Sequence, residues 1–290
     1  MDFTSEQGRR RYDRFVGAAS LGAVGLDFDG TLSPIVDDPQ EAHIHPDAAE
    51  VLLALAGQVR AVAVITGRPV RQVLELGDLE RLGRSFEGTG TALHVFGQYG
   101  NERWSSEDAV VHSPEPPAGL APFEDELPGT LERLDAAGAW VEDKGLAVAV
   151  HTRRLADAQE AFDRLLPALR ELAERHDLAV EPGRNVIEVR APGVDKGGAV
   201  ATLVDDLGLE AFCFAGDDLG DLDAFTELER REGDSLATLR VCSASEEEGA
   251  LLEHADVVVH GPDGVLEVLR RITADADDAD DADAADAAHA

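Results

Sequence analysis

Lysine is almost missing from this chain of 290 residues. Of its 25 basic side chains only Lys144 and Lys196 are lysine; the rest are arginine. Against them stand 59 acidic residues, for a net charge of −34. A field that negative excludes a nucleic-acid backbone or an anionic membrane surface as partner. Long apolar runs are also missing, and none approaches the roughly 18 residues that a membrane span needs. Arg9, Arg10 and Arg11 are followed by no apolar run, so no secretory leader is expected. Cysteine occurs twice, as Cys213 and Cys242, each inside an apolar strand-like run. That spacing argues against a disulfide or a cysteine metal pair and predicts two core thiols in a reducing cytoplasm.

What is abundant sets the frame. Hydrophobic residues make up 44% of the chain, enough for a sizeable core in one or two domains. The acid is not confined to the Asp/Ala tail, whose seven aspartates between residues 275 and 290 leave −27 on the remainder. Hydrated carboxylates keep proteins soluble at high salt, so a halophilic source is expected. Residues 274–290 are low in complexity and are predicted to be disordered.

The chain is organised around Val24-Gly25-Leu26-Asp27-Phe28-Asp29-Gly30-Thr31-Leu32. A short apolar run closed by glycine reads as a buried parallel strand ending in a tight turn. Residues two apart on an extended segment face the same side, so Asp27 and Asp29 share one site. Similar strands are predicted at Ala61 to Ile65, closed by Thr66-Gly67-Arg68-Pro69, at Ala92 to Phe96, and at Ala211 to Ala215, closed by Gly216-Asp217-Asp218. Helices are predicted at Asp2 to Ala18, Asp47 to Gly57, Val70 to Leu76 and Lys196 to Leu207, with a last one from Pro262 to Ile272. Strands alternating with helices predict a parallel α/β sheet, Rossmann-like, covered on both faces.

At Ser113-Pro114-Glu115-Pro116-Pro117 the pattern changes. Up to about Arg190 the order is α-β-β-α-β-β, which predicts an α+β cap domain inserted into the first. The expected divisions are 1–112 and 192–273 for the core, 113–191 for the cap and 274–290 for the tail.

Polar groups then converge at the carboxyl ends of the core strands, where open α/β sheets bind ligands. Asp27, Asp29, Asp217 and Asp218 supply carboxylates, Thr66 a hydroxyl and Lys196 an ammonium. This set suits phosphoryl transfer: Mg²⁺ takes oxygen ligands, with Asp27 and Asp217 as expected holders, and a carboxylate can attack phosphorus. Thr66 and Lys196 would orient the phosphoryl oxygens. A receiver domain uses similar groups but is smaller and lacks a cap.

The four segments, in their order, resemble the motifs of the haloacid-dehalogenase superfamily of phosphohydrolases. That resemblance implies Mg²⁺, Asp27 as nucleophile, Asp29 as acid/base and as metal ligand through its carbonyl, and Asp217 with Asp218 on the metal. Closer still is the similarity to trehalose-6-phosphate phosphatases, carried by Ile65-Thr66-Gly67-Arg68, Tyr99-Gly100-Asn101-Glu102, Val141-Glu142-Asp143-Lys144-Gly145, Val150-His151, Pro182-Gly183-Arg184, Glu188 and Asp195-Lys196-Gly197. It implies phosphate binding by Thr66, Gly67 and Lys196, and substrate binding by Arg68, Glu102, Glu142, Lys144 and Glu188. It also implies a sugar-phosphate substrate, with a trehalose-phosphate synthase as candidate partner. Both lysines of this lysine-poor chain fall where the resemblance needs one. The chain departs from the pattern at Gly220, Leu222 and Thr152, which leaves a different sugar phosphate or a phosphomutase of the same superfamily as alternatives.

Overall fold

The computed structural model describes residues 1–36, 38–183, 185–232, 236–244 and 249–287, with side chains up to residue 279. Arg184, part of one motif singled out above, lies outside the described residues. In chain order the strands are β1 (Asp2–Phe3), β2 (Gly22–Leu26), β3 (Ala61–Ile65), β4 (Ala92–Gly97), β5 (Glu102–Ser105), β6 (Trp140–Asp143), β7 (Ala147–His151), β8 (Ala179–Gly183), β9 (Val186–Arg190), β10 (Ala211–Gly216), β11 (Ala237–Ala244) and β12 (Val257–His260). The chain forms two compact units, Met1–His112 with Asp195–Ala290, and Ser113–Val194.

The first unit holds an eight-stranded sheet in the order β1-β12-β11-β10-β2-β3-β4-β5. Its six inner strands pair in parallel; β1 and β5 close the edges antiparallel. Strands buried on both faces need apolar residues at every position, and β2, β3 and β10 are buried throughout. Successive side chains then serve opposite cores. Val24, Leu26, Val62, Val64 and Cys213 pack with the helices Glu6–Val16, Ala48–Leu55, Val70–Leu76 and Gly261–Ala287. Ala23, Ala63, Ile65, Phe212 and Phe214 pack with Lys196–Leu207 and Leu222–Glu232. Cys213 and Cys242 are buried and form no disulfide.

The second unit is a four-stranded antiparallel sheet, β6-β7-β9-β8. Val148, Val150, Ile187 and Val189 turn one face onto the helices Leu120–Arg133 and Ala158–Arg175. Pairing in register puts Glu142, Ala149, Glu188 and Glu181 in one row on the opposite face.

Several expectations are corrected. The leading helix starts later, at Glu6, because Ser5 caps it and Asp2–Phe3 pairs with β12 instead. The edge strand β5 and the short helix Leu79–Ser85 are elements to which the sequence pattern assigns nothing. The acidic tail differs most: the last helix, expected to stop at Ile272, continues to Ala287. Ala276 is buried in the core, the Tyr12 hydroxyl donates to Asp275 at 2.7 Å, and Gln58 donates to Asp277 at 2.5 Å. Composition signals disorder there because apolar mass is low. Alanine nevertheless has the highest helix propensity, and extending a helix already nucleated in the core avoids the nucleation penalty.

Truncation after Thr273 is therefore expected to lower the unfolding free energy by about 1–3 kcal/mol, since it strands the Tyr12 hydroxyl and uncovers the Ala276 site. A thermal-unfolding midpoint shifted down by a few degrees bears this out; an unchanged midpoint shows the helix extension to be undocked.

Candidate active site

The loops after β2, β3 and β10 leave the sheet at the same end, because those strands run parallel and side by side. Asp27 directly follows β2, and its N–H still donates to the Ala215 carbonyl of β10 at 2.9 Å, so the strand pairing carries it to the site. Its Oδ1 lies 2.7 Å from Lys196 Nζ. Lys196 is the first residue of the helix Lys196–Leu207, whose N-cap Asp195 accepts from the Gly198 N–H. The ammonium is only 3% exposed and touches a second carboxylate, Asp221 Oδ1, also at 2.7 Å.

Asp221 closes the turn after β10. Its Oδ2 accepts from the backbone N–H groups of Asp217 (2.9 Å) and Asp218 (3.2 Å), and the side chain is fully buried. It therefore fixes both the lysine and the path of the Asp217-Asp218 loop. The side chain of Asp218 turns to cap Gly220 N–H at 2.8 Å. The Asp217 carboxylate lies against Gly30, where φ is +70° and a Cβ would come within 2.1 Å of Oδ2. Only glycine accepts both conditions. Ser243, buried at the end of β11, donates to the Gly30 carbonyl at 2.7 Å and ties this turn to the neighbouring strand.

Asp27, Asp217 and Asp221 each offer an oxygen within 4.8 Å of the others. Three buried carboxylates thus face one buried ammonium. Burial first, with the neighbouring aspartates Asp27, Asp221 and Asp218 adding and Lys196 opposing, pushes the Asp217 carboxyl up to about 10. Burial raises Asp27 and Asp221 in the same direction, with Lys196 again opposing. Burial works against the charge of Lys196, but Asp221 and Asp27 outweigh it and hold its pKa well above the usual value. A pocket with more carboxylate charge than its lysine can offset, lined by hard oxygen donors, has the chemistry of a divalent-cation site.

The second predicted aspartate is held differently. Both oxygens of Asp29 receive the Arg68 guanidinium, Nε to Oδ2 at 2.6 Å and Nη2 to Oδ1 at 2.7 Å, while Nη1 donates to the Pro39 carbonyl. Thr66 Oγ1 accepts from the Arg68 N–H at 3.2 Å, and Gly67 lies under the Tyr99 ring. Glu102 Oε2 accepts from the Val70 N–H at 2.7 Å and so caps the helix that follows β3. In the second unit Lys144 Nζ is 2.5 Å from Glu188 Oε2, and Glu142 Oε2 is 2.9 Å from His151 Nε2.

The structure thus brings Asp27, Lys196 and Asp217 together, sets Arg68 on Asp29, and pairs Lys144 with Glu188. Sequence reasoning left out Asp221 and Ser243. The one signal for Asp221 was its position four residues after Asp217, across the turn.

Solved structures share this architecture. The C-terminal domain of Candida albicans trehalose-6-phosphate phosphatase superimposes with a TM-score of 0.74 over 94% of this chain and 98% of that one, at 19% identity. A haloacid dehalogenase-like hydrolase from Bacteroides thetaiotaomicron gives 0.61 over 87% and 99%, at 17% identity. The fold is of the haloacid-dehalogenase type. A family model described as trehalose-phosphatase matches residues 25–92 and 123–256, and the chain belongs to that family.

The sequence is 34% identical over 212 residues to the trehalose-phosphate phosphatase of Mycobacterium tuberculosis, covering 70% of this chain and 50% of that protein. It is 31% identical over 276 residues to a probable trehalose-phosphate phosphatase of Oryza sativa, covering 89% and 71%. An uncharacterized glycosyl hydrolase of M. tuberculosis is 38% identical over 215 residues, which are 70% of this chain but 15% of that protein. The chain therefore spans half or less of the length of these mycobacterial relatives.

Asp221→Ala removes three hydrogen bonds from a buried ion cluster. It is expected to cost about 3 kcal/mol of unfolding stability, and Asp221→Asn less than half of that, because the amide oxygen still accepts. Denaturant unfolding of the two variants measures this. Wild-type stability in Asp221→Ala would remove Asp221 from its structural place.

Proposed function

We propose that the chain hydrolyses trehalose 6-phosphate to trehalose and inorganic phosphate, a step of trehalose synthesis. The observation that carries the reading is the contact of Asp27 with buried Lys196 inside a cluster of further carboxylates, in a chain of the trehalose-phosphatase family. Lys196 engages Oδ1 of Asp27 and leaves the other oxygen to attack phosphorus. As the bond from phosphorus to the sugar oxygen breaks, Asp29 gives that oxygen its proton, and the phosphoryl group becomes an acyl phosphate on Asp27. Asp29, now a carboxylate, takes a proton from water whose oxygen attacks phosphorus, releasing phosphate and restoring both residues. Thr66, the Gly67 N–H and Lys196 receive the remaining phosphoryl oxygens.

Arg68 occupies both oxygens of Asp29, so proton transfer requires that pair to part, which frees Arg68 for the substrate. Asp27 and Asp217, with Asp218 or Asp221 and the Asp29 carbonyl, would hold Mg²⁺. When bound, the ion offsets the charge of the carboxylates and of the phosphoryl group. Glu142, Lys144 and Glu188 are the groups that read the sugar hydroxyls, with Glu102 supporting the loop beside the phosphate. We place the reaction in the cytoplasm, in keeping with two buried cysteines outside any disulfide, and in salty medium, in keeping with the acidic composition. A trehalose-phosphate synthase is the partner that would supply the substrate.

A phosphate-release screen over sugar phosphates with Mg²⁺, at low and high KCl, tests the substrate and the salt together. Trehalose 6-phosphate is expected to lead; another leading sugar phosphate, an isomerised product without free phosphate, or an optimum at low salt each overturns the corresponding part. The two lysines separate cap from core. Lys144→Ala is expected to lower kcat/KM for trehalose 6-phosphate by about 2 kcal/mol and to spare a small aryl phosphate, which offers no hydroxyls to read. Lys196→Ala is expected to impair both substrates alike. Equal loss on both for Lys144→Ala would take the sugar-reading role from the cap.

A further inference from the structure

Two carboxylates flank Ala149 on the polar face of the β6-β7-β9-β8 sheet: Glu142 on one side and Glu188 on the other. At strand spacing they stand about 10 Å apart, with the small, buried Ala149 between them. Each has a cationic or hydrogen-bonding neighbour. For Glu188 it is Lys144, already placed in the sugar-reading set. For Glu142 it is His151, to which no part has been given.

His151 lies diagonally across the pair, since Trp140 is directly opposite His151 and Glu142 directly opposite Ala149. Its ring stacks on Trp140 at 4.4 Å between centroids and 22° between planes. The guanidinium of Arg154 lies over the same indole at 4.7 Å. Stacking fixes the imidazole plane, and the fixed plane directs Nε2 at Glu142 Oε2, 2.9 Å away. A carboxylate only accepts, so Nε2 carries the proton of that bond. Glu142 sits on β6, an edge strand, where an unsupported side chain keeps its rotamer freedom. The histidine restrains it at Oε2.

We propose that Arg154, Trp140 and His151 form a stacked prop that positions Glu142 to accept a hydroxyl of the sugar, with His151 as the positioning residue. The inference rests on the reading of the cap as the sugar-binding unit. The prop acts on substrate binding, not on the phosphoryl chemistry, so its signature is a change in KM for the sugar phosphate alone.

The test compares trehalose 6-phosphate with a small aryl phosphate in the 290-residue chain. His151→Ala is expected to raise KM for the sugar phosphate about tenfold while kcat on the aryl phosphate stays within about twofold. His151→Gln, whose amide nitrogen reaches the place of Nε2, is expected to recover most of that loss, whereas His151→Leu is not. Trp140→Leu should follow His151→Ala, and Trp140→Phe should lie between it and wild type. Glu142→Ala/His151→Ala should be no worse than Glu142→Ala alone, because the histidine acts through the carboxylate. Unchanged KM in His151→Ala, a glutamine no better than leucine, or equal losses on both substrates each overturn the prop. If Glu142→Ala raises KM and His151→Ala does not, only the prop falls. If Glu142→Ala leaves KM unchanged, the sugar-reading assignment of Glu142 falls and the prop with it.

Discussion

The ammonium of Lys196, buried between Asp27 and Asp221, joins two stretches of chain that the Ser113–Val194 insertion separates. Asp27 ends β2, before the insertion; Lys196 opens the first helix after it, and Asp221 closes the turn two elements later. None of the three could stay buried alone, because an isolated charge in an apolar surround costs several kcal/mol. Together they are mutually satisfied only in part. One positive group faces three buried carboxylates, and the surplus shows as the raised pKa values of Asp27, Asp217 and Asp221. The backbone bonds to Asp221 and the glycine at position 30 hold these groups close in spite of their repulsion. A site kept in that state is prepared for ligands of complementary charge: a divalent cation between the aspartates and an anionic phosphoryl group beside the lysine.

Much of this was legible in the residues because parallel strands buried on both faces must be apolar throughout. The expected strand Ala61 to Ile65 coincides with an observed strand, and the expected helices Val70–Leu76 and Lys196–Leu207 with observed helices. The scarcity of lysine made Lys196 conspicuous, and burial accounts for its retention: an exposed lysine can be exchanged for arginine, whereas this one fits between two carboxylates as a compact ammonium.

What was not legible depended on tertiary contacts. Glu102–Ser105 is a short polar edge strand, with too few residues to show alternation, and only its pairing with β4 defines it. The tail helix rests on Ala276, Tyr12 and Gln58, contacts that no local composition announces. Asp221 was hidden among many acidic residues, and its importance comes from facing inward at a turn in which Asp218 caps outward. The Arg68–Asp29 pair likewise joins residues from two different strand ends. Local pattern reaches the elements and the strand-end motifs; which neighbour a charged side chain chooses is decided by the assembled sheet.

Trapping the phosphoryl group tests the central claim most directly. The protein is mixed with trehalose 6-phosphate and Mg²⁺, quenched within the first turnover and reduced with borohydride, which converts an aspartyl phosphate to homoserine. Peptide mass spectrometry is expected to find that conversion at Asp27 alone; in Asp29→Asn it is expected to accumulate from a small aryl phosphate, whose leaving group needs no acid, because hydrolysis lacks its base. Steady turnover with no modified residue, or modification at another carboxylate, would contradict the account.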